Sequence, residues 1–206
     1  MKKYPVVIAA LLLLSAAPAA HSQTPEELNT GGKAKMAAGD PDGALADFTR
    51  AITLDPKFVK AWNNRALVRQ HKGDLDGALA DFNRAIELDP KDAYTFNNRG
   101  CVKKDKGDAD GALADFTRAI ELDPKYAFPV YNRGRTRLDR REWEGAIADF
   151  TRLIDLDPKN STAYYYRSLA KKAKGDQAGA LADLRSAGAP DTKSPAPATP
   201  SATPKP

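Results

Sequence analysis

Gly43-Ala-Leu-Ala-Asp-Phe-Thr-Arg-Ala-Ile-Thr-Leu-Asp-Pro56 is the stretch that decides the fold, because it recurs. Gly77 to Pro90, Gly111 to Pro124 and Gly145 to Pro158 are the same segment with few changes, and a decayed copy begins at Gly179. In the first copy Ala44, Phe48, Ala51, Ile52 and Leu54 fall on one stripe of a helix, and the three later intact copies keep that stripe, with Leu153 at the position that Ala51, Ala85 and Ala119 hold. Asp-Pro ends each of the four intact copies, since proline disfavours helical backbone in the residue before it. Upstream of each copy lies a second helical stretch, such as Ala61 to Gln70, and a Lys72-Gly73-Asp74 turn joins the two. Asp74, Asp108 and Asp176 stand where a helix N-cap is needed, while Asp76 and Asp110 fall in the first turn. The unit is therefore helix–turn–helix with a period of 34 residues.

The glycines carry the same period. Gly39, Gly73, Gly107 and Gly175 differ by multiples of 34, as do Gly43, Gly77, Gly111, Gly145 and Gly179, and as do Gly32, Gly100 and Gly134. The glycine that begins each second helix costs about 1 kcal/mol relative to alanine, and the sequence offers no reason for keeping it.

These residues resemble the tetratricopeptide repeat family, whose unit has this length and this pattern of aromatic, Gly, Ala, aromatic, Ala and Pro. Trp62, Ala66, Gly73, Ala78, Phe82, Ala85 and Pro90 match it in one unit; Phe96, Gly100, Gly107, Ala112, Phe116, Ala119 and Pro124 match it in the next. Val130, Gly134, Ala146, Phe150, Leu153 and Pro158 follow. The resemblance implies an all-α, right-handed superhelical solenoid of about five antiparallel helix pairs. Its units are 25–58, with a degenerate first helix that Gly31-Gly32 interrupts, then 59–92, 93–126, 127–160 and a truncated 161–189.

The pattern also has departures. Arg65, Arg99, Arg133 and Arg167 stand where leucine is usual; Lys35, Arg69, Lys103, Arg137 and Lys171 stand where an aromatic is usual. Asp47, Asp81, Asp115, Asp149 and Asp183 recur on the other helix. The expectation is a ladder of Arg–Asp pairs, Arg99 with Asp81 or Asp115; the alternative is a positive stripe for a ligand. The last unit has Leu184 for the aromatic and Gly188 for the isoleucine, and no helix follows to cover it. Oligomerisation through that uncapped unit is one consequence.

Outside the array, Met1-Lys2-Lys3, the apolar run Val6 to Leu14 and Ala20-His21-Ser22 before Gln23 read as a secretory signal peptide over 1–22. The apolar core is short for a membrane anchor, which is the alternative, so no membrane span is expected after cleavage. A periplasmic or secreted protein follows. Residues 190–206 hold six prolines and nothing large and apolar, the composition of a disordered tail.

By the same resemblance, first helices line a concave groove for a protein or peptide ligand. The binding candidates are Lys60, Asn63 and Asn64; Tyr94, Asn97 and Asn98; Phe128, Tyr131, Asn132 and Arg135; and Tyr165 with Lys172. Asn64, Asn98 and Asn132 match the asparagines with which co-chaperone members clamp a terminal carboxylate, but the accompanying cations are missing. A glycan- or cell-wall-binding ridge of Tyr94, Phe128, Tyr131 and Tyr165 is one alternative, and an accessory subunit docking through its open end is another.

Composition bounds the rest. One cysteine among 206 residues excludes an internal disulfide framework and any multi-cysteine metal site. Lys and Arg number 32 against 27 Asp and Glu, a balance without the concentrated excess of a nucleic-acid binder. Beyond the signal segment the only histidine is His71, on a polar helix end, and Cys101 reads as a packing residue. No catalytic residue, metal site or cofactor is expected.

Overall fold

The computed structural model describes residues 23–188; the signal-like segment 1–22 and the Pro-rich tail 190–206 lie outside the described residues. Ten helices follow one another: α1 Pro25–Ala37, α2 Pro41–Leu54, α3 Val59–His71, α4 Leu75–Leu88, α5 Ala93–Asp105, α6 Ala109–Leu122, α7 Ala127–Asp139, α8 Trp143–Leu156, α9 Ser161–Lys174 and α10 Gln177–Ser186. No strand occurs among the described residues. Each odd helix packs on the even helix after it, and each even helix on the next odd one. Successive odd helices also touch, whereas successive even helices do not come as close. The array therefore curves around its first helices, which form the inner side.

The recurring phenylalanine is the centre of each of the first four pairs. Phe48, Phe82, Phe116 and Phe150 are fully buried, each with the alanine four residues before it. Burying a ring of this size contributes about 2–3 kcal/mol. The ring needs a small residue on the facing first helix. A Cβ on Gly100 would lie 2.7 Å from the Phe116 ring, and one on Gly32 would lie 2.6 Å from Phe48. Gly31-Gly32 accordingly does not interrupt α1, contrary to the reading from sequence. The helix runs unbroken because Gly32 lets it close on α2, and because Thr24 and Glu27 cap it reciprocally (Thr24 N to Glu27 Oε2 2.9 Å, Glu27 N to Thr24 Oγ1 3.2 Å).

The glycine that opens each second helix also acquires a reason. The N–H of Gly77 donates to the capping carboxylate of Asp74 at 2.9 Å, and a Cβ there would sit 2.1 Å from that carboxylate's other oxygen. Its carbonyl accepts from Arg69 at 3.2 Å. Gly43, Gly111 and Gly179 repeat the cap with Asp40, Asp108 and Asp176. The fourth unit has Glu142 in place of the aspartate and no side-chain cap, yet keeps Gly145 because a Cβ would meet Arg137 at 2.9 Å.

That same turn carries the one non-glycine residue with positive φ among the described residues. Arg141 (φ 62°) occupies the position that Gly107 (φ 86°) fills one unit earlier. A left-handed conformation costs a residue with a Cβ about 1–2 kcal/mol. Arg141→Gly should therefore stabilise the protein by about 1 kcal/mol, net of the added freedom of the unfolded chain. Urea denaturation checks this; an unchanged or lower midpoint would show that the turn is not strained.

The helix ends use more than the proline. In Asp55-Pro56-Lys57 the Asp55 carboxylate accepts from the N–H of Lys57 at 2.9 Å, and Asp89, Asp123 and Asp157 do the same two residues on. This side-chain turn fixes the direction in which the chain leaves the helix.

Candidate functional site

The cations of the first helices divide between two faces, and that division defines the candidate site. On the face towards the second helix, four of the five recurring aspartates are each held by two cations. Asp81 accepts from Arg65 Nε and Nη2 at 2.9 and 2.8 Å and from Arg69 Nη1 at 2.8 Å. Asp115 is held by Arg99 and Lys103, Asp149 by Arg133 and Arg137, and Asp183 by Arg167 and Lys171. In the first unit Gly31 replaces the arginine and Lys35 holds Asp47 alone at 2.6 Å. Burial pushes the Asp183 carboxyl up, but the hydrogen bonds and charges of Arg167 and Lys171 outweigh it and hold it below the usual range.

Each arginine also reaches back to the preceding unit. Nη1 of Arg65, Arg99, Arg133 and Arg167 donates to Thr49, Asn83, Thr117 and Thr151, at 3.2, 2.8, 3.1 and 3.1 Å. The guanidinium lies over the ring three residues earlier in three units: Arg65 over Trp62, Arg99 over Phe96 and Arg167 over Tyr164. The ladder is therefore real. Its rungs lie within a unit, Arg99 with Asp115 and not with Asp81, and its ties run between units. These cations form no free stripe.

The inner face is built from the positions of Lys60, Asn63, Leu67 and Gln70 and their counterparts in later units. Of the sequence candidates, Lys60, Phe128 and Lys172 are exposed there; Asn63, Asn64, Tyr94, Tyr131, Arg135 and Tyr165 are half-buried; Asn97, Asn98 and Asn132 are buried. The asparagines are joints between first helices. Asn64 Nδ2 donates to Asn29 Oδ1 at 2.7 Å, and Asn132 Nδ2 donates to Asn97 Oδ1 at 2.9 Å; both pairs are 35 residues apart. Asn97 in turn donates to Asn98 at 3.3 Å. Asn63 accepts from Thr95 at 2.9 Å, and its amide reaches Asp92 at 3.4 Å.

Between the fourth and fifth units the same joint becomes aromatic. Tyr131 and Tyr166, again 35 residues apart, meet edge-on at 5.6 Å, and Tyr165 meets Tyr166 at 5.3 Å. Burial pushes the Tyr166 hydroxyl up to about 12, reinforced by its bond to Tyr131. Arg135 lies over the Tyr166 ring at 4.5 Å and donates to the Tyr166 and Tyr131 hydroxyls at 2.6 and 3.1 Å. A second cluster sits one unit earlier, where Tyr94 lies against Tyr126 at 4.5 Å and Tyr126 against Phe128 at 5.8 Å. Cys101 is a packing residue, as its position implied: Asn132 donates to its sulfur at 3.4 Å, and burial pushes the thiol up to about 12. Among the described residues no three His, Cys, Asp or Glu side chains gather as a metal site would require, and no helix is long and apolar enough to cross a membrane.

Family models described as tetratricopeptide repeat match residues 29–93, 93–126 and 131–195. The chain is a tetratricopeptide repeat protein. No curated protein matches it. Among solved structures, the tetratricopeptide array is similar to MamA, with 23% identity and a TM-score of 0.73 over 79% of this chain and 89% of that one. MamA (41-end) from Desulfovibrio magneticus RS-1 is 16% identical, with a TM-score of 0.72 over 79% and 92%. YrrB, described as a TPR protein with an unusual peptide-binding site, is 20% identical, with a TM-score of 0.67 over 78% and 83%. At these identities the likeness is one of fold.

Sequence reading missed two residues of this tetratricopeptide face, Tyr126 and Tyr166. The signal for Tyr166 was present: it follows Asn64, Asn98 and Asn132 in register, so an aromatic there breaks a polar series. Tyr126 stands in register with Phe58, Asp92 and Asn160, a variable position that gives no such warning.

Proposed function

We propose that this chain is a non-enzymatic, exported scaffold that holds an extended segment of a partner protein along its inner face. One observation carries the reading. Where the array curves inward, the fourth and fifth units leave Phe128 and Leu169 exposed (43% and 37%) beside the half-buried rings of Tyr131 and Tyr165. Aromatic anchors amid polar neighbours are the usual energetic centre of peptide recognition. The description of YrrB as peptide-binding supports a peptide ligand for a similar array. Export to the periplasm or beyond rests on the basic, apolar and small-residue order of Met1 to Ser22. Envelope assembly or secretion is the setting this implies.

The test uses protein expressed from the full-length gene as bait in extracts of the producing cell envelope. Phe128→Ala/Tyr165→Ala should release most of what the unaltered protein retains, about a tenfold loss or more, with unchanged helical circular dichroism. Equal retention by that variant would overturn the reading. If retention instead fails on Leu181→Asp, the site is the open end of the array, where Leu181 is 55% exposed on α10.

A further inference from the structure

The unmatched charge of the inner face says what kind of segment it takes. On the ladder side, the first-helix cations at the two recurring positions are matched by aspartates. On the inner face Lys60, Lys104, Arg135 and Lys172 form no ion pair among the described residues, and no acid stands at 60, 63, 67 or 70 or at their counterparts one, two and three units on. Two acids follow just beyond, at the end of the helices. Asp105 accepts from Gln70 at 3.0 Å, and Asp139, one turn past Arg135, is exposed and acts on it only through its field.

Arg135 is the organised member of the set. Its Nη1 is spent on the Tyr131 and Tyr166 hydroxyls, and its plane rests on the Tyr166 ring. The other edge of the guanidinium donates to no group among the described residues. An arginine held this way offers a pre-oriented fork, the geometry that binds a carboxylate through two parallel bonds. Lys104 belongs to the same joint. Cys101 with Asn132, and Arg135 with Tyr166, meet at a separation of 31 residues. Lys104 and Arg135 share that separation one helical turn further on, so the register sets two cations on facing turns of α5 and α7, neither of them in an ion pair among the described residues.

We propose that the inner face at the third to fifth units binds an acidic stretch of an extended peptide, with one carboxylate on the free edge of Arg135 and its neighbours drawn to Lys104 and Lys172. This rests on the peptide-binding reading above and adds the ligand's charge. A polynucleotide is the less suitable anion, because the cations are few, spread over separate helices and set among rings already packed on one another.

Two fluorescein-labelled ten-residue peptides test it, identical except that one carries Glu and the other Gln on either side of a central Phe, with oligothymidylate as a third probe. The protein is expressed from the full-length gene and binding is read by anisotropy. The Glu peptide should bind at least tenfold tighter than the Gln peptide, a preference that shrinks as salt rises. Arg135→Gln should remove about tenfold of that affinity and leave the Gln peptide unaffected. Should Arg135→Gln disturb the Tyr166 packing, Lys104→Gln/Lys172→Gln carries the test, with an expected loss of about fivefold, and Arg185→Gln on α10 should change nothing. Equal binding of both peptides, still lost in Phe128→Ala/Tyr165→Ala, would overturn the acidic preference and leave the peptide reading standing. Binding of neither peptide would overturn both. Oligothymidylate binding tighter than the Glu peptide would assign the cations to nucleic acid.

Discussion

Asp115→Ala should cost about 3 kcal/mol of stability, far more than the loss of an ordinary surface ion pair. The carboxylate is nearly enclosed, with its side chain 5% exposed, and it receives Arg99 through two bonds of 2.8 and 2.7 Å and Lys103 at 2.8 Å. Its removal leaves two cations facing a space that water enters poorly. Lys103 is free to swing outward on its flexible stem. Arg99 is less free, because Nη1 is tied to Asn83 of the preceding unit at 2.8 Å and the guanidinium lies over Phe96. The damage should therefore spread to the boundary between units two and three. A double-mutant cycle in urea measures this. Arg99→Ala and Asp115→Ala should couple by at least about 1.5 kcal/mol, and Arg99→Ala with Asp81→Ala by nearly nothing. Comparable coupling to Asp81 would mean that the rungs run between units, contrary to the observed geometry.

The sequence carried the period, the helix pairs and the existence of the ladder, because each is a statement about spacing. Ala44, Phe48, Ala51 and Ile52 share a face whatever they pack against, and Arg65 with Arg69 must lie on one face of their helix. Which aspartate Arg99 meets is a different kind of fact. Asp81 and Asp115 are equivalent in the repeat, and only the closer packing of α5 on α6 than on α4 chooses between them. The same limit applies to Gly77, whose cost is visible in sequence while its compensation, the Asp74 cap and the reach of Arg69, is three-dimensional. Gly31-Gly32 was misread for the converse reason: glycine's low helix propensity is local, and the contact of Gly32 with Phe48 overrides it. At the binding face the exposed candidates Lys60, Phe128 and Lys172 were legible from register alone. The inward turn of Asn97, Asn98 and Asn132 was not, since an amide at an inner position serves a ligand or a neighbouring helix equally well until its partner is seen.

Deletion of residues 93–126 should leave a folded array of four helix pairs that loses about a fifth of its helical signal and has a smaller urea m-value. The reason lies in how each boundary contact would be replaced. Arg133 would lose Thr117 and meet Asn83, which already serves Arg99. Arg140, paired with Asp110 in the turn, would meet Asp76, the present partner of Lys106. Asn132 would lose Asn97 and face Asn63, its counterpart one unit earlier. Asp92, which caps α5 through the N–H of Tyr94, would stand one residue before α7 and offer the same cap. The stack of Tyr94, Tyr126 and Phe128 is the contact with no substitute, and it is one cluster among several. Removing residues 93–108 instead should be far worse, although fewer residues leave. It would set α6 directly after α4, so that Phe116 would lose the close approach of Gly100 and Asp115 would lose both Arg99 and Lys103. Circular dichroism and urea titration of the two deletions decide the matter. Collapse of both would mean that the array folds as a single cooperative core; retention by the in-phase deletion alone follows from a chain whose every boundary repeats the same few contacts.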